Sequence, residues 1–220
     1  MTLINIGVAG CLGRMGQELV KEIANNNEIN FAGGFEHSQH KCINKKISDI
    51  IQIYTDHIVS ANPREIFSDS NVVIDFTTPQ STLQNILIAS ELCTPIVIGT
   101  TGLDEKVVDA INQHSKNIPI LQSYNMSVGV NLLFDFVNQA ASKLKDVDYD
   151  IEISESHHKH KIDAPSGTAI TLGEQAAKGR KVNFNDVKEL NRMNITSARK
   201  KGSIGFAVTR GGEIAGEHTI

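Results

Sequence analysis

Leu3-Ile4-Asn5-Ile6-Gly7-Val8-Ala9-Gly10-Cys11-Leu12-Gly13-Arg14-Met15-Gly16 is the stretch that decides the fold. Its first half is an apolar run of strand length, and its second half is a glycine-rich turn. From Arg14 to Ala24 the apolar residues Met15, Leu19, Val20 and Ile23 fall on one helical face. Strand, glycine turn and helix in that order open a βα unit. The spacing is G-x-x-G-x-x-G: Gly10 and Gly13 take the second and third places of a dinucleotide fingerprint, while Val8 stands at the first and Gly7 lies one residue early. Gly10 lets backbone N–H groups approach a pyrophosphate at the helix N-terminus, and Gly13 allows close packing of helix on strand. No Gly-Lys-Ser/Thr follows, which argues against a Walker-type NTPase.

Working outward, Phe31 to Phe35 reads as the second strand, and Glu36 at its end is placed to accept hydrogen bonds from an adenosine ribose. Val72 to Phe76, Pro95 to Gly99 and Ile118 to Ser123 read as further strands, with helices from Gln80 to Leu92 and Glu105 to Ser115 between them. This alternation predicts an α/β fold with a Rossmann-like, doubly wound parallel sheet over residues 1–125. Two polar loops, Gly99-Thr100-Thr101-Gly102 and Ser123-Tyr124-Asn125-Met126-Ser127, follow strands of this sheet, where ligands bind in such folds. After Tyr124 the pattern changes. An amphipathic segment from Val130 to Leu144 precedes a period-two stretch in which Tyr149, Ile151 and Ile153 alternate with Asp150, Glu152 and Ser154. A helix from Thr168 to about Lys178 follows. Ile204 to Thr209 and Glu213 to Thr219 then read as an antiparallel hairpin around Arg210-Gly211-Gly212. Residues 126–220 are thus expected to form a second, α+β domain with an open mixed or antiparallel sheet.

The 220 residues suffice for two modest domains with packed cores. An apolar fraction of 40% with 21% charged residues excludes disordered and collagen-like classes. A formal charge of −4 argues against a nucleic-acid partner or an anionic membrane surface, because a phosphate lattice needs a net basic face. Cys11, Cys42 and Cys93, odd in number and without a C-x-x-C pair, read as reduced thiols. No signal-like segment precedes the first strand and no apolar run approaches a membrane span, so a cytoplasmic protein is expected. The N-x-[ST] matches at Asn125 and Asn194 carry no weight without secretion.

The densest chemistry is Glu155-Ser156-His157-His158-Lys159-His160-Lys161, followed by Asp163-Ala164-Pro165-Ser166-Gly167-Thr168. Histidines and lysines concentrated in an otherwise acidic chain suggest an anionic small substrate. A solvated basic loop is the plain alternative. Metal binding by His158-x-His160 is another, opposed by the neighbouring Lys159 and Lys161 and by the lack of a ligand cluster. Pro165-Ser166-Gly167-Thr168 reads as a helix start, whose Gly167 and Thr168 N–H groups suit a carboxylate. Ser166 as nucleophile is disfavoured, because no nucleophile-elbow glycines surround it.

With these blocks in place, the chain resembles the 4-hydroxy-tetrahydrodipicolinate reductase (dihydrodipicolinate reductase) family of diaminopimelate and lysine biosynthesis. The resemblance rests on Gly7 to Gly16, Val73-Ile74-Asp75-Phe76-Thr77, Val97 to Gly102, Asn125 to Asn131, Glu155 to Thr168 and Gly216-Glu217-His218-Thr219. It implies an NAD(P)H-dependent oxidoreductase that acts on a cyclic dicarboxylate and assembles as a homotetramer through its second domain. By the same resemblance Gly10, Cys11, Leu12, Gly13, Arg14, Met15 and Glu36 hold the adenosine and pyrophosphate. Gly99, Thr100, Thr101, Ser123, Tyr124, Asn125 and Met126 line the nicotinamide side. His157 is the catalytic acid/base, Lys161 the proton donor, and His158, Gly167 and Thr168 bind substrate carboxylate; no metal is implied. Two departures stand out. His37 follows Glu36 where users of NADPH carry arginine, so NADH is expected to serve at least as well as NADPH. The chain also stops at Ile220, several dozen residues short of the family's usual end. A non-catalytic dinucleotide-binding sensor is the alternative reading.

Overall fold

The computed structural model describes residues 3–146, 148–193 and 195–220. Asn194, one of the two N-x-[ST] matches, lies outside the described residues. The chain divides into two compact units, Met1–Tyr124 and Asn125–Ile220.

In the first unit the elements run β1 (Ile4–Ala9), α1 (Arg14–Asn25), β2 (Ile29–Phe35), β3 (Val59–Ser60), α2 (Pro63–Asp69), β4 (Val72–Asp75), α3 (Pro79–Glu91), β5 (Ile96–Ile98), α4 (Glu105–His114) and β6 (Ile120–Gln122). All strands are parallel, in the order β3-β2-β1-β4-β5-β6. The order reverses between β1 and β4, which opens a ligand crevice at the strands' carboxyl ends. Successive residues of β1 enter different cores: Val8 packs with Val20, Ile23, Phe31 and Ile47, and Ala9 with Phe35, Ile66, Phe67 and Val73. A strand covered by helices on both faces requires this. A register shift opposite Ile6 and Gly7 lets Phe31 and Phe35 serve different cores, although their spacing would otherwise put them on one face. The sequence reading omits β3 and α2. Asn62 caps α2 by accepting the Arg64 N–H, with Pro63 in its first turn.

The second unit comprises α5 (Val128–Lys143), β7 (Ile151–His157), α6 (Gly167–Arg180), α7 (Phe184–Val187), β8 (Lys188–Glu189), β9 (Ile204–Arg210) and β10 (Glu217–Thr219). Its sheet has the order β10-β7-β9-β8 and is mixed: β7, β9 and β8 are parallel, and β10 is antiparallel to β7. The expected hairpin of β9 with β10 is therefore wrong. Gly211-Gly212 does not turn the chain back on its neighbour but carries it across the end of β7, where Gly211 N–H donates to His157 O at 3.0 Å and Lys159 N–H to Gly212 O at 3.2 Å. Both hydrogen-bonding edges of β7 are then filled. Val137, Ala141, Ala169, Leu172, Ala176 and Ala177 of α5 and α6 pack against Ile153 and Ile204 to form the core.

Candidate active site

In the first unit, the turn from Gly10 to Gly13, the first turn of α1 with Arg14 and Met15, Glu36, Gly99 to Thr101, and Ser123 with Tyr124 all lie at or just beyond carboxyl ends of parallel strands. Gly10 has φ +67°, and a side chain there would meet Thr77 at 2.8 Å. The closest helix approach falls at Gly16 rather than Gly13, since a Cβ on Gly16 would lie 2.0 Å from Gly10 O and one on Gly13 would lie 3.2 Å from it.

Among the described residues, six of the seven α-helices have a side chain accepting from the first turn, supplied by Asn62, Thr78, Asp104, Ser127, Ser166 and Asn183. At α1 the cap is Gly13, which has no side chain to offer. A helix start without a side-chain acceptor of its own suits an external one such as a pyrophosphate. A cleft of about 600 Å³ adjoins this turn, lined by Gly10, Gly13, Glu36, His37 and Thr77 among others. Glu36 Oε1 accepts the Leu12 N–H at 2.9 Å. Cys11 is fully buried, and burial together with the nearby Glu36 pushes its thiol up to about 12.

Sequence reasoning gave Asp75 no role. It is fully buried, and its carboxylate accepts the Thr77 N–H at 3.0 Å, the Thr77 hydroxyl at 2.6 Å, Asn85 Nδ2 at 3.0 Å and the Thr100 hydroxyl at 3.3 Å. One carboxylate thereby ties the loop after β4 to the loop after β5. Aspartate ending a buried strand just before Phe-Thr was the available signal.

In the second unit, Asn125 Nδ2 donates to Thr168 Oγ1 at 3.3 Å. His157 is the last residue of β7, and α6 starts at Gly167 behind the cap residue Ser166, whose Oγ accepts from Ala169 N–H. Strand periodicity puts Ile151, Ile153, Glu155 and His157 on one face of β7. Their register partners are Arg210 of β9 opposite His157 and His218 of β10 opposite Glu155. At the carboxyl end of the strand the apolar core thus gives way to Glu155, His157, Arg210 and His218.

Glu155 is buried, and its Oε2 lies 2.6 Å from His157 Nδ1. Arg210 donates to both carboxylate oxygens at 2.7 and 2.8 Å, and Ser166 N–H donates at 2.9 Å. Burial pushes the Glu155 carboxyl up, but Arg210, His157 and Ser166 N–H outweigh it and hold it at about 2. Arg210 is correspondingly raised by Glu155. His218 Nε2 lies 2.8 Å from Ser166 Oγ, with its ring centroid 5.2 Å from that of His157. Burial lowers His218, and His157, Lys161 and Arg210 lower it further against the pull of Glu155. Glu155, Arg210 and His218 were not identified as site residues from the sequence. For Glu155 the signal was there: extending the Ile151, Ile153 alternation by two puts a carboxylate on the inward face.

Lys161 Nζ lies 2.8 Å from Asp163 Oδ1. Burial raises the Asp163 carboxyl, but Lys161 and the N–H groups of Asp163 and Gly167 bring it below its ordinary value. A carboxylate thus already stands between Lys161 and the start of α6. His158 Nδ1 is buried without a hydrogen-bond partner among the described residues, its ring 6.1 Å from that of His160. Among the described residues no three His, Cys, Asp or Glu side chains come together as metal ligands, and no helix is long and apolar enough to cross a membrane.

Residues 4–126 match the family model described as dihydrodipicolinate reductase, N-terminus, and residues 129–220 match its C-terminus counterpart. The chain is 38% identical over 217 residues to a 4-hydroxy-tetrahydrodipicolinate reductase of Polynucleobacter necessarius, covering 99% of this chain and 81% of that protein. A protein of the same description from Wolbachia sp. subsp. Drosophila simulans is 43% identical over 217 residues, with 99% and 80% covered. Among solved structures, a dipicolinate-bound dihydrodipicolinate reductase from Paenisporosarcina sp. TG-14 superposes with a TM-score of 0.69 at 24% identity, covering 99% of this chain and 82% of that one. That likeness carries the fold.

Proposed function

The chain belongs to the dihydrodipicolinate reductase family, and from that premise we propose that it uses NAD(P)H to reduce 4-hydroxy-tetrahydrodipicolinate with the residues described above. The products are tetrahydrodipicolinate, water and the oxidised dinucleotide: a hydride and a proton enter, and the 4-hydroxyl leaves as water. When bound, the nicotinamide supplies the hydride.

The first turn of α1 binds the pyrophosphate and Glu36 the ribose hydroxyls, while Gly99 to Thr101 and Ser123 to Met126 line the nicotinamide. His37 brings no bidentate guanidinium to a 2′-phosphate, so NADH serves at least as well as NADPH. Lys161 and the N–H groups of Gly167 and Thr168 bind a substrate carboxylate, with His158 beside them. His157 exchanges a proton as acid/base, and Lys161 donates the proton that matches the hydride. The observation that carries this reading is the ion pair of Lys161 Nζ with the Asp163 carboxylate at 2.8 Å beside the start of α6, where the Gly167 N–H helps to hold that carboxyl below its ordinary value. A dicarboxylate substrate offers the same group to the same donors.

The same reading makes the protein a cytoplasmic homotetramer without a nucleic-acid partner. No observation favours a non-catalytic sensor. The experiment is direct: NADH absorbance is followed after adding freshly made 4-hydroxy-tetrahydrodipicolinate, and substrate-dependent loss of NADH is the expected result.

A further inference from the structure

Glu155 occupies an inward position of β7 where the strand's own period calls for an apolar residue, as Ile151 and Ile153 supply before it. A carboxylate buried there is costly unless it is paired and fully hydrogen-bonded. Here it is both. The Arg210 fork grips both oxygens, and the Ser166 N–H fixes Oε1. Held this way the carboxylate cannot turn, and Oε2 is aimed at His157 Nδ1 at 2.6 Å.

An ionised carboxylate only accepts hydrogen bonds, so the hydrogen of that contact belongs to Nδ1. Nε2 is then the nitrogen that exchanges protons. The surroundings agree. The His218 ring meets the His157 ring edge to face, at 76°. The loop back to β10 passes His157 at Gly216, where φ is +149° and a side chain would lie 2.9 Å from Nε2. Glycine at that position leaves Nε2 its room.

We propose that Glu155 is the positioning residue of His157: it fixes the proton on Nδ1 and presents Nε2 to the substrate, with Arg210 as the immobile counter-ion. The inference rests on the reading of His157 as the acid/base group, and it assigns Glu155 no contact with substrate. The competing account is an ion pair that merely ties β7 to β9 and leaves His157 a bystander.

A double-mutant cycle separates the two. Glu155→Gln keeps size and polarity but loses the charge and the defined acceptor. It should lower kcat by about tenfold or more, with NADH affinity and substrate KM changed less than about threefold. In a His157→Gln background the same change should alter kcat by less than about threefold, because residues that act as a unit are not additive. An equal loss in both backgrounds, or a Glu155→Gln enzyme with normal kcat, overturns the proposal. Nitrogen-15 NMR of the unmodified protein gives an independent reading should the variant not fold: the His157 ring should carry its hydrogen on Nδ1, and a bare Nδ1 with the hydrogen on Nε2 overturns the proposal as well. If His157→Gln alone retains normal turnover, the acid/base role of His157 has failed rather than its dependence on Glu155.

Discussion

Glu36 Oε1 accepts the backbone N–H of Leu12 at 2.9 Å, which joins the end of β2 to the glycine turn after β1. The residue proposed to bind the ribose and the turn proposed to bind the pyrophosphate are therefore braced against each other. A ligand that displaces or repels Glu36 disturbs the turn as well.

That brace yields a prediction about the cofactor. A carboxylate accepts from a 2′-hydroxyl but repels a 2′-phosphate, and His37 has no fork to offset the repulsion. Steady-state kinetics should give kcat/KM for NADH at least equal to that for NADPH, and His37→Arg should move the ratio toward NADPH. A preference for NADPH of about tenfold or more in the unmodified protein contradicts this.

A second prediction concerns Asp163, whose carboxylate pairs with Lys161 Nζ at 2.8 Å. On the proposed reading a substrate carboxylate competes with it for Lys161. Asp163→Asn removes the competing charge, so KM for the dicarboxylate should fall by about threefold, a change of under 1 kcal/mol in binding, while kcat moves less. A rise in KM would instead make Asp163 the group that holds Lys161 ready.

Stability in acid follows from the same cluster. Glu155 is held at about 2 against an ordinary 4.5, so its contribution is complete above pH 4.5 and is lost as pH falls toward 2. His218 is held below its ordinary 6.5, so folding favours its neutral form, and this contribution too is lost on acidification below 6.5. Both act in one direction. Circular dichroism melts should show Tm falling from about pH 7 to about pH 3, with a shallower fall below pH 4.5 in Glu155→Gln. An unchanged slope in that variant would mean that Glu155 does not carry the effect.

The first unit was largely legible because its signals are local. Leu3 to Gly16 contains strand, turn and helix start in one stretch, and buried parallel strands such as Val72 to Asp75 declare themselves as apolar runs. Ranges around β3 and α2 were not, since a two-residue strand has no period to read. The partner of β10 was hidden for a different reason. Gly211-Gly212 satisfies a hairpin rule, yet β10 pairs with β7 rather than with β9, and that choice is made by a tertiary crossing that no local spacing records. His157, Lys161, Gly167 and Thr168 could be picked out because their types cluster in sequence. Arg210 and His218 reach Glu155 and Ser166 only through the sheet register, across sequence separations of 55 and 52 residues.

If the second unit's cationic cluster performs the proton chemistry of a nicotinamide-dependent reduction, as proposed, then turnover of the unmodified enzyme must differ sharply from that of His157→Gln and Lys161→Ala. NADH consumption with fresh 4-hydroxy-tetrahydrodipicolinate gives kcat, and fluorescence titration gives NADH affinity. Each variant should lose about 10²-fold or more in kcat, the scale of acid–base catalysis, with NADH affinity nearly unchanged. Variants that keep near-normal kcat while losing nucleotide affinity would contradict the account, placing His157 and Lys161 on the cofactor's phosphates instead.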